Sequence, residues 1–383
     1  MKRCNQPFVF PSGLKIKNRM LLAPLTTSNG TSEGGLTEED CEFILRRSHG
    51  LGAVIIGSHS ISSGGSAFSG GWNIYKPENH PMLIRLVEKL HKQNVKVFIQ
   101  IYHAGRLAQP AFNSGKQSIA PSRVPPLRGI ASFPREMESS EIEETINEFQ
   151  EATKIAIRLG FDGVELHGAN TYLIQQFYSP HSNRRNDEWG GNREKRLKFP
   201  LEVIKACREV IDQSNAGSFI LGYRFSPEEY ETPGIRLEDT CHLLENIALP
   251  SLLDYVHISI SDFRKKSLDG QPILKEVQSV VPKDIPLIGC GNIHTLKDVN
   301  EVLKEVSLFS IANAPIIDPL WARKVTNRNA EIKKLLTVRD RERLRIPPGL
   351  WKMLINEPLG YFHPVSNEDL SGEKLSKPLP LRQ

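Results

Sequence analysis

Residues Phe161–Tyr172 read FDGVELHGANTY. The apolar run stops abruptly on His167, and Gly168, Ala169, Asn170, Thr171 and Tyr172 follow without a break. A strand that ends on an imidazole, an amide and a phenol within six residues has gathered three hydrogen-bonding side chains in one place. What they surround depends on the sheet to which the strand belongs.

The run is one of eight. MLLAP (Met20–Pro24), AVIIGS (Ala53–Ser58), VKVFIQIY (Val95–Tyr102), FDGVELHG (Phe161–Gly168), SFILGYRFS (Ser218–Ser226), LDYVHISI (Leu253–Ile260), IPLIGCG (Ile285–Gly291) and VSLFSIAN (Val306–Asn313) are short and rich in Val, Ile and Leu. They are mostly apolar on both parities, as strands covered on both faces must be. Between them lie segments of helical period. Leu83–Gln93 sets Leu83, Leu86, Val87 and Leu90 on one side. Ser140–Leu159 carries Ile142, Ile146, Phe149 and Ala156, and its Ser140-to-Glu143 step suits a capping box. Arg193–Ile211 and Leu296–Leu303 behave similarly. Eight such alternations predict an α/β fold, a closed (β/α)8 TIM barrel, over an open doubly wound sheet. The long Pro/Ser-rich loop from Gln109 to Phe133 is of the kind that sits over an active face.

Before the first strand, FVFPSGLKIKNR predicts a β-hairpin turning at Pro11-Ser12-Gly13 and plugging the barrel's bottom. Asp318–Leu336 reads as the closing helix. Residues 1–336 thus form the barrel unit. Residues 337–383 form a C-terminal extension whose Trp351, Leu354, Tyr361 and Phe362 are too apolar for a free linker; it is expected to pack on the barrel or on a partner chain.

Hydrophobic residues make up 39% and charged residues 24%, enough for a sizeable core and too ordered a composition for wholesale disorder. The net charge of +5, from 49 basic and 44 acidic residues, is mild and favours a soluble enzyme over a nucleic-acid binder. Cysteines at 4, 41, 207, 241 and 290 show no CxxC pair, which argues against a disulfide framework, a zinc knuckle or an iron–sulfur cluster and for reduced cytoplasmic thiols. The N-terminus lacks an apolar export core and no stretch approaches a membrane span, so a cytoplasmic location is expected.

In such a barrel the chemistry sits at the C-terminal ends of the strands. Those ends supply Thr26, Ser58, Gln100, Tyr102, His167, Asn170, Tyr172, Arg224 and the Gly291-Asn292 pair. Taken singly, each has a structural reading. Taken together they are a donor-rich set suited to an anionic or carbonyl-bearing ligand, with a tyrosine able to give up a proton. No carboxylate pair, Ser-His-Asp set or metal cluster occupies the same ends.

These residues carry a resemblance. KNRMLLAPLTT (Lys17–Thr27), FIQIYHAGR (Phe98–Arg106), ELHGANTYLIQQFYSPHSNRRNDEWGG (Glu165–Gly191), GYRFSPEE (Gly222–Glu229) and Gly291-Asn292 resemble, in order and over roughly residues 5–335, the Old Yellow Enzyme family of FMN-dependent NAD(P)H oxidoreductases. The resemblance implies FMN as cofactor and NADH or NADPH as reductant. It implies that Ala23, Pro24, Leu25 and Thr26 lie along the flavin, Ser58 touches its edge, and Gln100 and Arg224 bond its pyrimidine side. It implies further that His167 and Asn170 clamp a substrate oxygen, Tyr172 donates the proton, and Ser28 and Tyr102 line the substrate pocket. Two departures stand out. Where the family usually ends its eighth strand with a phosphate-holding Gly-Arg, this chain has Ala312-Asn313, with Gly291-Asn292, Arg264 or Lys265 available to compensate. Where the family often has an acidic residue on the second strand, this chain has Gly57.

The expected activity is reduction of activated C=C bonds in α,β-unsaturated carbonyl or nitro compounds, or of quinones. Two alternatives stay open: a flavin-binding or non-redox scaffold whose catalysis has lapsed, and flavin-dependent amine oxidation or demethylation. The expected partner is a small-molecule substrate, with neither nucleic acid nor membrane. A homo-oligomer, the physiological acceptor, and NADH against NADPH are left open.

Overall fold

All eight apolar runs form strands. The computed structural model describes residues 4–112, 115–127, 133–327, 330–334, 336 and 339–356. Its barrel strands are β1 (Met20–Leu22), β2 (Ala53–Ser60), β3 (Lys96–Tyr102), β4 (Gly163–Gly168), β5 (Ile220–Phe225), β6 (Tyr255–Ile258), β7 (Leu287–Gly289) and β8 (Leu308–Ile311). Each pairs in parallel with its sequence neighbours, and β8 pairs with β1 to close the ring. Helices α1 (Glu38–Arg47), α2 (His80–Lys92), α3 (Ser139–Arg158), α4 (Lys198–Gln213), α5 (Leu237–Ile247), α6 (Ile273–Val280) and α7 (Leu296–Glu305) follow β1 to β7 in turn.

The period of two along each strand separates two cores. Val54 and Ile56, Val97 and Ile99, Val164 and Leu166, and Leu221 and Tyr223 face outward into the layer beneath the helices. There they meet Leu83, Leu86, Val87 and Leu90 of α2 and Ile142, Phe149 and Ala156 of α3. The alternate residues Leu21, Ala53, Ile55, Phe98, Ile220, Tyr255, Ile288 and Leu308 fill the lower barrel. The N-terminal hairpin, Phe8–Val9 against Lys15–Ile16, caps that layer with Phe10, Leu14 and Ile16. The plugged bottom therefore follows from the hairpin's apolar side chains meeting the apolar lower layer.

Three local expectations are corrected. The helix after β8 is not continuous: Asn313–Ile317 and Trp321–Lys324 are short helices. Between them the Asp318 carboxylate accepts from the backbone of Leu320 and Lys333 and pairs with Lys324 at 2.7 Å, so its side chain competes with helix propagation. The box that opens α3 lies at Glu138 and Glu141 rather than Ser140 and Glu143, the Glu141 carboxylate taking the Glu138 amide at 2.9 Å. The Arg193–Ile211 segment divides at Leu197 into Arg193–Arg196 and α4.

Beyond the barrel, residues Pro348–Asn356 form a C-terminal helix with Leu350 and Trp351 buried. Residues 357–383, with Tyr361 and Phe362, lie outside the described residues. Among the described residues no helix is long and apolar enough to cross a membrane. All five cysteines are free thiols.

Candidate active site at the upper end of the barrel

Moving up the barrel interior, the inward parity changes from apolar to polar. Above the layer of Phe98, Ile220 and Tyr255 stand Gln100 on β3, Glu165 on β4, His257 on β6 and Ser310 on β8. All four are 1% exposed or less, and they form one chain of hydrogen bonds across the barrel. Ser58 donates to Gln100 Oε1 at 2.5 Å, and Gln100 Nε2 donates to Glu165 Oε1 at 2.7 Å. Glu165 Oε2 takes the Tyr255 hydroxyl at 3.1 Å and lies 2.8 Å from His257 Nδ1, whose Nε2 lies 2.8 Å from the Ser310 hydroxyl.

Three donors on one buried carboxyl define its charge. Burial alone would raise the Glu165 pKa, but the His257 charge and hydrogen bond, with Arg224 and Gln100, outweigh it and hold it below the usual carboxylate range. Burial likewise pushes His257 down, and the Glu165 charge overrides that and raises it. The two shifts agree on a buried ion pair. Beside it the Cys290 thiol is lowered against its own burial by the His257 hydrogen bond and the Arg224 charge.

Ser58 reaches Gln100 because β2 is irregular. Its register against β3 slips between Ile56 and His59, which turns Ser58 to the inner face. Gly57 sits in this slip with the Leu25 carbonyl directly above it. A Cβ there would lie 2.0 Å from the Leu25 oxygen, so no side chain, acidic or otherwise, is compatible with the strand-one loop passing at this height.

The HGANTY turn after β4 holds two consecutive non-glycine residues in the left-handed region, Asn170 at φ 55° and Thr171 at φ 60°. Such backbone is unfavourable, most of all for β-branched Thr, and persists only where neighbours over-determine it. They do. The Asn170 amide donates to Ser226 Oγ at 2.9 Å, and the Thr171 amide to Gln175 Oε1 at 2.9 Å. Gln175 is held in turn by buried Glu229 at 2.7 Å.

The turn's side chains converge. The Ala169 amide points at His167 Nδ1 at 3.4 Å, and with Nδ1 accepting it the ring proton sits on Nε2. Ser259 donates to Asn170 Oδ1 at 3.1 Å, which leaves the Nδ2 donors facing His167, with Nδ2 and Nε2 3.5 Å apart. Two N–H donors side by side can share one oxygen acceptor. The Tyr172 ring stands edge-on to His167, centroids 4.9 Å apart, and 4.8 Å from that of Tyr102. Burial, with Tyr172 beside it, raises the pKa of Tyr102.

Adjoining this cluster is a cavity of about 620 Å3. Of the residues expected at the site, Ala23, Pro24, Leu25, Asn170, Arg224, Gly291, Asn292, Ala312 and Asn313 line it, whereas Thr26, Ser28, Ser58, Gln100, Tyr102, His167 and Tyr172 do not. Asn170 belongs to both the cluster and the cavity. The cavity wall is also built by Ser259, Cys290, Ser310, Lys266 and Met353, which the sequence analysis passed over as site residues. Met353 comes from the C-terminal helix, which docks on the loop after β1: Ser28 Oγ lies 3.3 Å from Met353 Sδ, and the Gly349 amide points at Asn29 Oδ1 at 3.4 Å.

The donors present suit a planar, electron-rich, phosphorylated group such as FMN. Arg224 Nε is buried without a hydrogen-bond partner among the described residues, on a side chain that lines the cavity. At Gly291, φ 95°, a Cβ would meet the Ile260 carbonyl at 2.5 Å, so the backbone itself forms the wall. Of the two cations offered as phosphate partners, Arg264 is committed to Asp298 at 2.6 Å and Glu301 at 2.7 Å and lies outside the cavity wall. Lys265 lines the cavity, its Nζ 2.6 Å from the Tyr230 hydroxyl.

The chain is similar to known proteins over most of its length. Residues 5–331 match the family described as NADH:flavin oxidoreductase / NADH oxidase. The chain is 42% identical over 354 residues to a Vibrio harveyi protein named NADH:acrylate oxidoreductase, covering 90% of this chain but only 35% of that protein. It is 35% identical over 357 residues to "Probable NADH-dependent flavin oxidoreductase YqiG" of Bacillus subtilis, covering 92% of this chain and 95% of the relative. A morphinone reductase mutant in complex with tetrahydroNAD shares the fold with a TM-score of 0.75 at 21% identity, over 96% of either chain. The chain belongs to the NADH:flavin oxidoreductase / NADH oxidase family, the FMN-dependent, nicotinamide-driven (β/α)8 barrels that include the Old Yellow Enzymes.

Proposed function

We infer that this chain reduces an activated C=C bond, taking electrons from NADH or NADPH and delivering them to an alkene conjugated to a carbonyl, carboxyl or nitro group. One observation carries the reading: His167 Nε2 and Asn170 Nδ2 lie 3.5 Å apart, with the Tyr172 ring 4.9 Å from that of His167. When bound, FMN supplies hydride transfer, from nicotinamide in one half-reaction and to the alkene β-carbon in the other. Ala23, Pro24, Leu25 and Arg224, which line the cavity, would hold its ring, with Thr26, Ser58 and Gln100 adjoining them, and Gly291, Asn292, Ala312 and Asn313 would hold its phosphate end.

His167 and Asn170 bind the substrate oxygen, on which negative charge builds as the β-carbon receives hydride. Because Ser259, Ser226 and the Ala169 amide already orient both donors, they need no reorganisation as that charge grows. The Tyr172 hydroxyl then gives its proton to the α-carbon. Tyr102 and Ser28 bound the pocket around the substrate. The name of the Vibrio relative supports this class, since acrylate is an alkene conjugated to a carboxylate.

A second reading is favoured by length. The chain spans 35% of that relative, so the reduction named there belongs to a longer protein, and this unit's share could be to take electrons from NADH and pass them on. Absorption spectra separate the readings. Flavin bands that bleach on anaerobic NADH and return with acrylate or cyclohexenone support alkene reduction. Bands that bleach but return only with a redox dye favour the electron-input unit. Protein that cannot be loaded with FMN sinks both.

A further inference from the structure

The hydrogen-bonded chain beneath the cavity contains a group that the proposed reaction does not use. His257 is wholly buried, yet it is one hydroxyl away from the cavity, because its Nε2 partner Ser310 lines the cavity wall. On its other side Nδ1 faces Glu165, which the Tyr255 hydroxyl and Gln100 also engage. The charged and titratable groups around the imidazole are therefore Glu165 on β4, Arg224 on β5, Tyr255 on its own strand and Cys290 on β7.

The Ser310 hydroxyl can be read in two directions. With His257 neutral, Nδ1–H donates to Glu165 and Nε2 accepts from Ser310, which then presents lone pairs to the cavity. With His257 protonated, Nε2–H donates to Ser310, whose own hydrogen is released to donate into the cavity. One proton on His257 thus adds a positive charge below the cavity and reverses the sense of a hydroxyl in its wall.

We propose that Ser310 and His257 form a proton port that balances the charge of the bound flavin, His257 carrying a proton whenever the ring carries a negative charge. This rests on the FMN reading above. A hydride from nicotinamide brings one hydrogen and two electrons and leaves one negative charge. A proton from solvent, relayed through the Ser310 hydroxyl to His257 Nε2, neutralises it, and the same proton leaves when the two electrons pass to the acceptor. Glu165 is the positioning carboxylate that makes the imidazole basic enough to hold the proton in a site shared with Arg224.

The test is the pH dependence of the flavin midpoint potential, measured by dye equilibration in the FMN-loaded wild type and in His257→Asn and Ser310→Ala. An Asn amide keeps the bond to Glu165 but cannot titrate. The wild type should gain two protons per two electrons in a segment above the ordinary imidazole value of about 6.5, from which, against burial, the Glu165 charge raises His257. His257→Asn should gain one proton across that segment. Ser310→Ala should keep the wild-type slope but reach equilibrium more slowly after a pH jump. A two-proton segment that survives in His257→Asn puts the proton on the ring and overturns the proposal, as does a one-proton slope in a wild type with normal flavin bands. A chain that binds no FMN overturns it together with the functional reading, and the absence of flavin bands tells that case apart. If His257→Asn does not fold, a one-proton slope in Glu165→Gln supports the proposal and an unchanged slope overturns it.

Discussion

Replacing Glu165 by glutamine removes one charge from the middle of the barrel at almost constant volume. In the wild type this carboxylate meets Gln100, His257 and Tyr255 at 2.7, 2.8 and 3.1 Å and is wholly buried. Neutralising one partner of a buried pair costs about 3–5 kcal/mol, because the other charge stays behind uncompensated. An unfolding entropy of about 2.1 cal/mol/K per residue over 383 residues is about 0.8 kcal/mol/K, so Tm should fall by about 4–6 °C. The loss depends on pH with a definite sign. His257 is raised, so its share of stability is complete below the unfolded imidazole value of about 6.5 and is lost as pH climbs through the folded value. Glu165 is depressed, so its share is complete above the unfolded carboxyl value of about 4.3 and is lost as pH falls through the folded one. The gap between wild type and Glu165→Gln should be widest near about pH 6 and narrow toward about pH 9. Circular-dichroism melts of both proteins at these two pH values measure it. A gap of equal size at both would refute a charged His257, and no gap at about pH 6 would refute the ionised carboxylate.

Other perturbations test the rest of the site. Tyr172→Phe should leave flavin reduction by NADH nearly intact and slow reoxidation by an enone about 10²-fold or more, as loss of a general acid does; equal loss in the two half-reactions under stopped flow would remove Tyr172 as donor. Asn313→Arg should tighten FMN by about ten- to a hundredfold, the worth of about 1.5–3 kcal/mol for a charged hydrogen bond to phosphate. Riboflavin, which has no phosphate, should bind that variant no better than wild type, and an unchanged FMN Kd would mean the phosphate is held away from Asn313. Gly57→Ala should cost about 1–3 kcal/mol through the clash with the Leu25 carbonyl. It should also weaken FMN, because Leu25 is part of the cavity wall; a wild-type Tm and FMN Kd would show that the loop yields freely.

The eight strands were legible because strands buried on both faces announce themselves as apolar runs, and each run contains its strand except the second, whose strand continues two residues past Ser58 to Ser60. The HGANTY turn, Arg224 and the Gly291-Asn292 pair were legible because polar residues at strand ends are rare. Glu165, His257 and Ser310 were missed because each stands inside such a run, flanked on both sides by apolar residues, rather than at its end. The signal was present all the same: Glu165 stands two residues before His167, and His257 and Ser310 alternate with Val256, Ile258, Phe309 and Ile311. A period-of-two reading sets them on the inner face with Gln100 and Arg224. What no single strand carries is their mutual distance, which depends on strand stagger around the closed ring. The break after β8 was hidden for a different reason. Asp318 can continue a helix or cap one, and Lys333, which helps to choose, is distant in sequence.

Met353 lies well beyond the last strand in sequence, yet it forms part of the wall around the cavity. During synthesis the ring of strands can close while this segment is still inside the ribosome. The C-terminal helix is thus synthesised after all eight strands, and the stretch of cavity wall that Met353 supplies is the last to be made.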